Sequence, residues 1–80
     1  MTVQAMYILE STPAEIMERS LPGVVEQAIA GHLPGRIKVM GVSWAACLCI
    51  PDSRYILSPG TPVTVLGRRG NVLLVLPYVP

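Results

Sequence analysis

From Gly23 onward, glycines and prolines divide the sequence into apolar segments of similar length, and no other feature restricts the fold as much. Short segments with turn residues between them are typical of an all-β barrel or sandwich. We predict a small five-stranded OB-like β-barrel, since a longer connection precedes the last pair of segments. The segments are GVVEQAIA (23–30), RIKVMG (36–41), VSWAACLCI (42–50), TPVTVLG (61–67) and NVLLVLP (71–77).

Two connections separate these segments. The first is the turn GHLPG, and the second is PDSRYILSPG, residues 51–60, for which we predict a short turn at 55–57. The segment RIKVM alternates, with Arg36 and Lys38 on one face and Ile37 and Val39 on the other. Such alternation predicts a strand with one solvated face and one face in the core.

The N-terminal residues carry a local helix signal. Thr12 is a suitable N-cap, Pro13 suits the first helical position, and Glu15 follows three residues after the cap. We therefore predict a helix running to about Arg19, ended by Leu21, Pro22 and Gly23. The predicted organisation of the 80 residues is a leader with a short helix (1–22) and the barrel (23–80).

Two adjacent arginines, Arg68 and Arg69, precede Gly70 between the last two apolar segments. A type I turn followed by a left-handed residue is a common three-residue hairpin loop, and Gly70 suits the left-handed position. The arginines are then expected at the exposed tip of the hairpin. Exposed charges at such a tip are usually only solvated.

The balanced charge count argues against nucleic acid and anionic membranes as partners, because the chain has no strong net charge to attract them. Hydrophobic residues make up 51% of the chain and charged residues 14%, and the formal net charge is +1. Val39 to Pro51, one of the two longest uncharged segments, is shorter than the roughly 20 apolar residues of a membrane-spanning helix. The first residues lack the basic region of a signal peptide. We predict a cytoplasmic protein with no membrane span of its own.

The sequence offers no pattern for catalysis, a metal or a cofactor. Cys47 and Cys49 are two residues apart, which on a strand points both to one face and disfavours a mutual disulfide. His32 is the only histidine, so a zinc set is incomplete. The carboxylates are scattered, and none is spaced with a nucleophile and a base. We predict a non-enzyme with no cofactor.

Two predicted strands lack charge on either face. Ser43–Ile50 and Val72–Leu76 contain no Asp, Glu, Lys or Arg, whereas an outer strand of a small barrel normally has one polar face. Either flanking segments cover them, with Ile16 and Met17 contributing, or they form an apolar patch that marks a protein contact. The predicted interaction residues are Trp44, Leu48, Val72, Leu74 and Leu76.

Binding of single-stranded nucleic acid is the alternative, since OB folds that do so combine basic grooves with stacking aromatics. Among the aromatics, only Trp44 lies within a predicted main strand, and its neighbours Ala45 and Ala46 are not basic. This alternative is therefore the weaker prediction. Its candidate contacts are Arg36, Lys38, Arg68 and Arg69.

The segments GVVEQAIAGHLPGRIKVMGVSWAA and ILSPGTPVTVLGRRGNVLLVLP resemble the C-terminal soluble domain of NfeD-family proteins. The resemblance covers about Gly23 to Pro77 and is best from Pro59 to Pro77. It implies a five-stranded OB barrel that acts as an interaction or assembly module. It also implies a protein partner, such as a stomatin- or flotillin-like membrane protein or a second copy, and through that partner a position at the membrane periphery. Larger members carry membrane helices and sometimes a serine protease domain; these are not seen in this sequence.

Overall fold

The computed structural model describes residues 13–78, which form strands without a helix. Five long or medium strands close into a barrel in the order β1-β3-β4-β7-β6, and two short strands, β2 and β5, form a separate pair. The predicted all-β class and the five-stranded OB-like barrel are therefore confirmed. The strands are β1 (Glu15–Gln27), β2 (Ile29–Ala30), β3 (Gly35–Val39), β4 (Val42–Leu48), β5 (Ile56–Leu57), β6 (Pro62–Arg69) and β7 (Val72–Pro77).

A parallel pair completes the barrel. β1 pairs antiparallel with both β3 and β6, and the hairpins β3–β4 and β6–β7 are also antiparallel. β4 and β7 run parallel, with Cys47 opposite Leu74. A parallel pair requires a long crossover connection. The segment between β4 and β6, which contains β5, is part of that crossover.

The core is built from alternate residues of each strand. Ile37 and Val39 are buried while Lys38 is exposed, so the alternation predicted for β3 is confirmed. β2 and β5 each add one buried residue, Ile29 and Leu57. Burying an aliphatic side chain of this size contributes roughly 1.5–3 kcal/mol. The continuous core consists of Val25, Ile29, Ile37, Val39, Ala46, Leu48, Leu57, Val63, Val65, Leu73 and Val75.

The predicted N-terminal helix is wrong for the residues that the structure describes, because Glu15–Gln27 is a strand. Glu15 pairs with Arg68 and Ile16 with Gly67, so hydrogen bonding to a distant strand overrides the local capping signal. Gly67 permits this approach, since a Cβ there would overlap the Glu15 carbonyl oxygen. Thr12, the predicted cap, lies outside residues 13–78. β1 also runs through the predicted leader–barrel boundary at residue 22.

β1 bulges outward at residues 17–20. Ile16 and Leu21 are separated by four residues, whereas their partners on β6, Gly67 and Val65, are separated by one. The extra residues cannot all be accommodated in the ladder, so they leave it locally. This bulge places Met17 over one end of the barrel.

The predicted three-residue hairpin loop is also wrong. Arg69 pairs with Val72, so the turn consists of Gly70 and Asn71 alone, and both arginines belong to β6. Gly70 has a φ of 60°, and Asn71 is not among the residues with positive φ. A two-residue loop with glycine in a positive φ at its first position matches a type II′ turn.

The connection between β4 and β6 also differs from the prediction. A turn was expected at 55–57, but Ile56 and Leu57 form β5 and pair with Ala30 and Ile29. Because Leu57 is buried, this short pair covers part of the core. The predicted first strand, 23–30, is correspondingly divided between β1 and β2.

Candidate interaction surfaces

The structure separates the nine residues that the sequence proposed for binding into three groups. Leu48 lies in the core, where a partner cannot reach it without opening the barrel. Trp44 and Arg68 lie at one end of the barrel beside a groove. The remaining residues lie on the outer side of the sheet, namely Arg36, Lys38, Arg69, Val72, Leu74 and Leu76.

An apolar area on the outer face of β4 and β7 lies between two arginines. Arg36 is opposite Ala45, and Arg69 is opposite Val72. β4 and β7 run parallel with Ala46 opposite Leu73, so Ala45 and Val72, which lie one residue earlier on each strand, are also neighbours. Directly paired residues share a face, and strands lie about 4.8 Å apart, so the arginine positions are roughly 14 Å apart. We call this the outer surface, comprising Arg36, Ala45, Cys47, Arg69, Val72, Leu74 and Leu76.

The outer surface is basic at its margins and has no acidic group. β3, β4, β6 and β7 contain no Asp or Glu. Arg36 Nε donates a hydrogen bond of 2.9 Å to Ser43 Oγ. Arg69 has no ion-pair partner among residues 13–78. Lys38, further toward β1, lies 3.7 Å from Glu26. Within the outer surface the positive charge is therefore not neutralised by a neighbouring carboxylate.

Cys47 lies within the outer surface and is half-buried, and both Cys47 and Cys49 are free thiols. Burial raises the pKa of the Cys47 thiol because the thiolate loses hydration, while the nearby Arg69 charge acts in the opposite direction. A thiol with a raised pKa is less ionised near neutral pH and reacts more slowly with electrophiles. Because Cys47 lies within the outer surface, a change in its alkylation rate reports on what covers that surface.

We expect Cys47 to be alkylated slowly in a Cys49→Ala variant. The pH at which iodoacetamide alkylation reaches its half-maximal rate should lie above that of an unperturbed cysteine, because the thiol pKa is raised. Adding Arg69→Ala should move this midpoint further upward, since a favourable charge is lost. The same variant unfolded in urea supplies the reference. A midpoint at or below the urea value would contradict this prediction.

Catalytic and metal-binding chemistry find little support in the geometry. Among residues 13–78, no group of three His, Cys, Asp or Glu side chains is placed to hold a metal ion. His32 is exposed. Asp52 is bound by Arg54 at 2.7 Å, and these hydrogen bonds lower the pKa of the Asp52 carboxyl. That pair lies within one loop and stabilises the loop locally.

A second apolar area lies at the end of the barrel where β3 turns into β4. It surrounds a groove of about 600 Å³ whose floor includes Leu21, Val39, Val65 and Leu73. Met40 is 85% exposed, Ile16 68% and Val42 53%. Clustered exposed side chains of this size are unusual on a monomer and mark contact sites. We call this the end surface, comprising Glu15, Ile16, Met17, Met40, Val42, Trp44 and Arg68.

The two arginines that stand side by side in the sequence serve different surfaces. Arg68 pairs with the inward-facing Leu73 and reaches the groove, whereas Arg69 pairs with Val72 and belongs to the outer surface. Arg68 Nε lies 3.3 Å from Glu15 Oε2, and both side chains are largely exposed. An exposed pair of this kind contributes little to folding. Both groups can therefore exchange their partner at little cost.

The end surface was largely missed by sequence reasoning. The sequence predicts that Ile16 and Met17 contribute cover to the charge-free strands, and in the structure they line the groove. Met40 and Val42 were not proposed at all. The signal in the sequence is Met40 before Gly41. These two residues separate Val39 from Val42, and a turn at this place gives no local reason to prefer an apolar side chain.

The chain is similar to a known protein by structure and not by sequence. By sequence, neither a protein-family model nor a curated protein matches the chain. By structure, it is similar to the C-terminal domain of stomatin operon partner protein 1510-C from Pyrococcus horikoshii, with a TM-score of 0.66 and 26% sequence identity. The match covers 76% of this chain and 88% of that domain. Between residues 13 and 78, no helix has the length and apolar character that crossing a bilayer requires. The structural match confirms the resemblance predicted from the sequence, and over most of its length this chain is similar to an NfeD-like C-terminal domain of a stomatin operon partner protein.

Proposed function

We propose that this barrel is a non-catalytic protein–protein interaction module that associates with a stomatin- or flotillin-type membrane protein. The observation that carries the proposal is the structural match to a domain of a stomatin operon partner protein over 76% of the chain. The apolar strands β4 and β7, whose outer residues carry no charge, support it. Through such a partner the protein is held at the membrane periphery.

The outer surface is the proposed contact. Its centre is apolar, with Val72 and Leu76 half-buried, and Arg36 and Arg69 stand on either side. A complementary partner segment presents apolar side chains with acidic groups about 14 Å apart. Leu74 is already buried, so it supports the shape of this surface more than it contacts the partner.

Charge reversal at the two arginines tests this function. We expect Arg36→Glu/Arg69→Glu to weaken binding of a stomatin-type protein from the same genome by about tenfold or more, because two attractive contacts become repulsive. Binding is measured by biolayer interferometry against the detergent-solubilised partner. The matched control is Arg19→Glu/Arg68→Glu, which makes the same change in net charge at exposed positions outside this surface.

Two results would overturn the proposal. One is that the unchanged protein does not bind any stomatin- or flotillin-type protein of its genome. The other is that both double variants lose the same affinity, which would indicate a net-charge effect. Protection of Cys47 from alkylation in the complex, in the Cys49→Ala background, is the expected sign of contact at the outer surface.

Binding of single-stranded nucleic acid, the alternative, has less support from the geometry. Its four candidate residues are divided, with Arg68 at the end surface and Lys38 beside Glu26. Trp44 faces the groove at the end surface, so it does not lie among the outer basic residues as a stacking platform. An oligonucleotide titration whose salt-dependent signal disappears in Arg68→Ala/Arg69→Ala would favour this alternative over protein binding.

A further inference from the structure

The end surface combines a protrusion, a recess and both signs of charge. Met40 projects at the tip of the β3–β4 hairpin, and the groove of about 600 Å³ lies beside it. Glu15 and Arg68 lie together at the margin of that groove. The groove is the complement of the Met40 protrusion, and the Arg68 charge is the complement of the Glu15 charge. Such a surface can pair with a copy of itself.

We propose that the end surface is where two copies of this chain associate about a twofold axis. In such an interface the same patch is used by both copies, so residue i contacts residue j and residue j contacts residue i. Met40 of each copy then enters the groove of the other. Glu15 of one copy and Arg68 of the other replace the exposed pair that each copy makes alone.

The backbone at Met40 supports a contact outside the barrel. Met40 has a φ of 51° and Gly41 a φ of 81°, the two positive values of a type I′ turn, where Asn, Asp and Gly are preferred. A long apolar side chain gains nothing locally from this conformation, and Met40 is 85% exposed. Its flexible thioether suits insertion into an irregular apolar recess.

The size of the end surface fits a dimer better than a chance contact. The exposed fractions of its apolar residues correspond to roughly 500 Å² per copy, at about 150–250 Å² for a large side chain. Two copies together bury roughly 1,000 Å² before their polar margins are included, which lies between most crystal-packing contacts and standard specific interfaces. We therefore expect a weak dimer that forms reversibly as the protein concentration rises.

Charge distinguishes the end surface from the outer surface as the place for a second copy. Twofold pairing of the outer surface would bring Arg36 and Arg69 against arginines, with no carboxylate on β3, β4, β6 or β7 to compensate. Like charges in contact disfavour association. Because the two surfaces are distinct, dimerisation and partner binding are separate claims with separate tests.

Sedimentation of the full chain from about 1 µM to about 1 mM tests the proposal. We expect a monomer–dimer equilibrium in the unchanged protein and a dissociation constant at least about tenfold higher in Met40→Asn. Asparagine is favoured in a type I′ turn, so this variant keeps the hairpin, which thermal denaturation checks. The matched control is Ile56→Asn, at a position 69% exposed on β5 and outside the end surface, which should dimerise as before.

A charge exchange provides the second test. Glu15→Arg and Arg68→Glu should each weaken the dimer, and the two together should restore it. A monomer at every concentration, or a dimer unaffected by Met40→Asn, would overturn the proposal. A dimer lost equally in Ile56→Asn would also overturn it, because the contact would then not be confined to the end surface.

Discussion

Replacing Gly35 with alanine is expected to lower the free energy of unfolding by about 3 kcal/mol or more, since forced overpacking costs 1–3 kcal/mol and occasionally more. A Cβ at Gly35 would overlap the carbonyl oxygens of Gln27 and Ala28. These atoms belong to the backbone where β1 ends, next to the irregular register between Val25 and Gln27. A carbonyl cannot rotate away as a side chain can, so the start of β3 must separate from β1.

Gly23→Ala is the matched control for this variant. A Cβ at Gly23 would meet the Val39 Cγ2 methyl at 3.2 Å, and that methyl belongs to a side chain that can shift. We expect a change below about 1 kcal/mol. Urea denaturation of both variants gives the two values. Equal losses would show that close approach of the backbone is not what requires glycine at position 35.

Truncating Ile37 to alanine should destabilise the barrel by about 2–5 kcal/mol, because it removes buried methyl groups and leaves a cavity. Ile37 is 0% exposed and lies in the centre of β3, opposite Val25 and Trp44. A domain of this size has a total stability of roughly 4–12 kcal/mol. The variant is therefore expected to lose a large share of its stability and to melt at a markedly lower temperature.

Ile50→Ala provides the same chemical change at the surface. Ile50 is 70% exposed, and such a substitution usually changes stability by less than about 0.5 kcal/mol. Thermal and urea denaturation of the two variants should differ accordingly. If Ile37→Ala proved as mild as Ile50→Ala, the assignment of Ile37 to the core would be wrong.

The fold was predictable from sequence where local pattern and tertiary structure agree. The alternation around Ile37 and Val39 identifies a strand and its buried face, and Gly41 correctly separates β3 from β4. Patterns of this kind depend only on neighbouring residues. The number of barrel strands therefore followed from counting segments between turns.

The wrong predictions concern segments whose structure depends on pairing with residues far away in the sequence. Pro13 and Glu15 favour a helix locally, but Gly67, more than 50 residues away, allows β1 to pair with β6. Likewise the turn at Gly70 and Asn71 depends on which residues of β6 and β7 face each other. The local sequence carries a signal for the two-residue turn, since Gly-Asn between two apolar segments is typical of a type II′ hairpin, but the three-residue loop uses the same glycine in a left-handed conformation.

The sequence predicts candidate binding residues, and the structure determines where on the barrel each of them lies. The absence of charge in β4 and β7 correctly identified unusual strands, but burial within them is uneven, so Leu48 lies in the core and Trp44 at the end surface. Arg68 and Arg69 point to different surfaces because successive residues of a strand alternate. Only the register of β6 against β7 decides which arginine belongs to which surface.

The parallel pairing of β4 with β7 also affects how the chain folds during its synthesis. β4 pairs with β3 on one side, but its partner on the other side is β7, which ends at Pro77. Similarly, one of the two partners of β1 is β6, which is synthesised much later. Until β7 has left the ribosome, the apolar residues of β4 have no neighbour on that side. Folding dominated by such distant pairings is slow. The nascent chain is therefore expected to remain open, and accessible to chaperones, until the last strand has emerged.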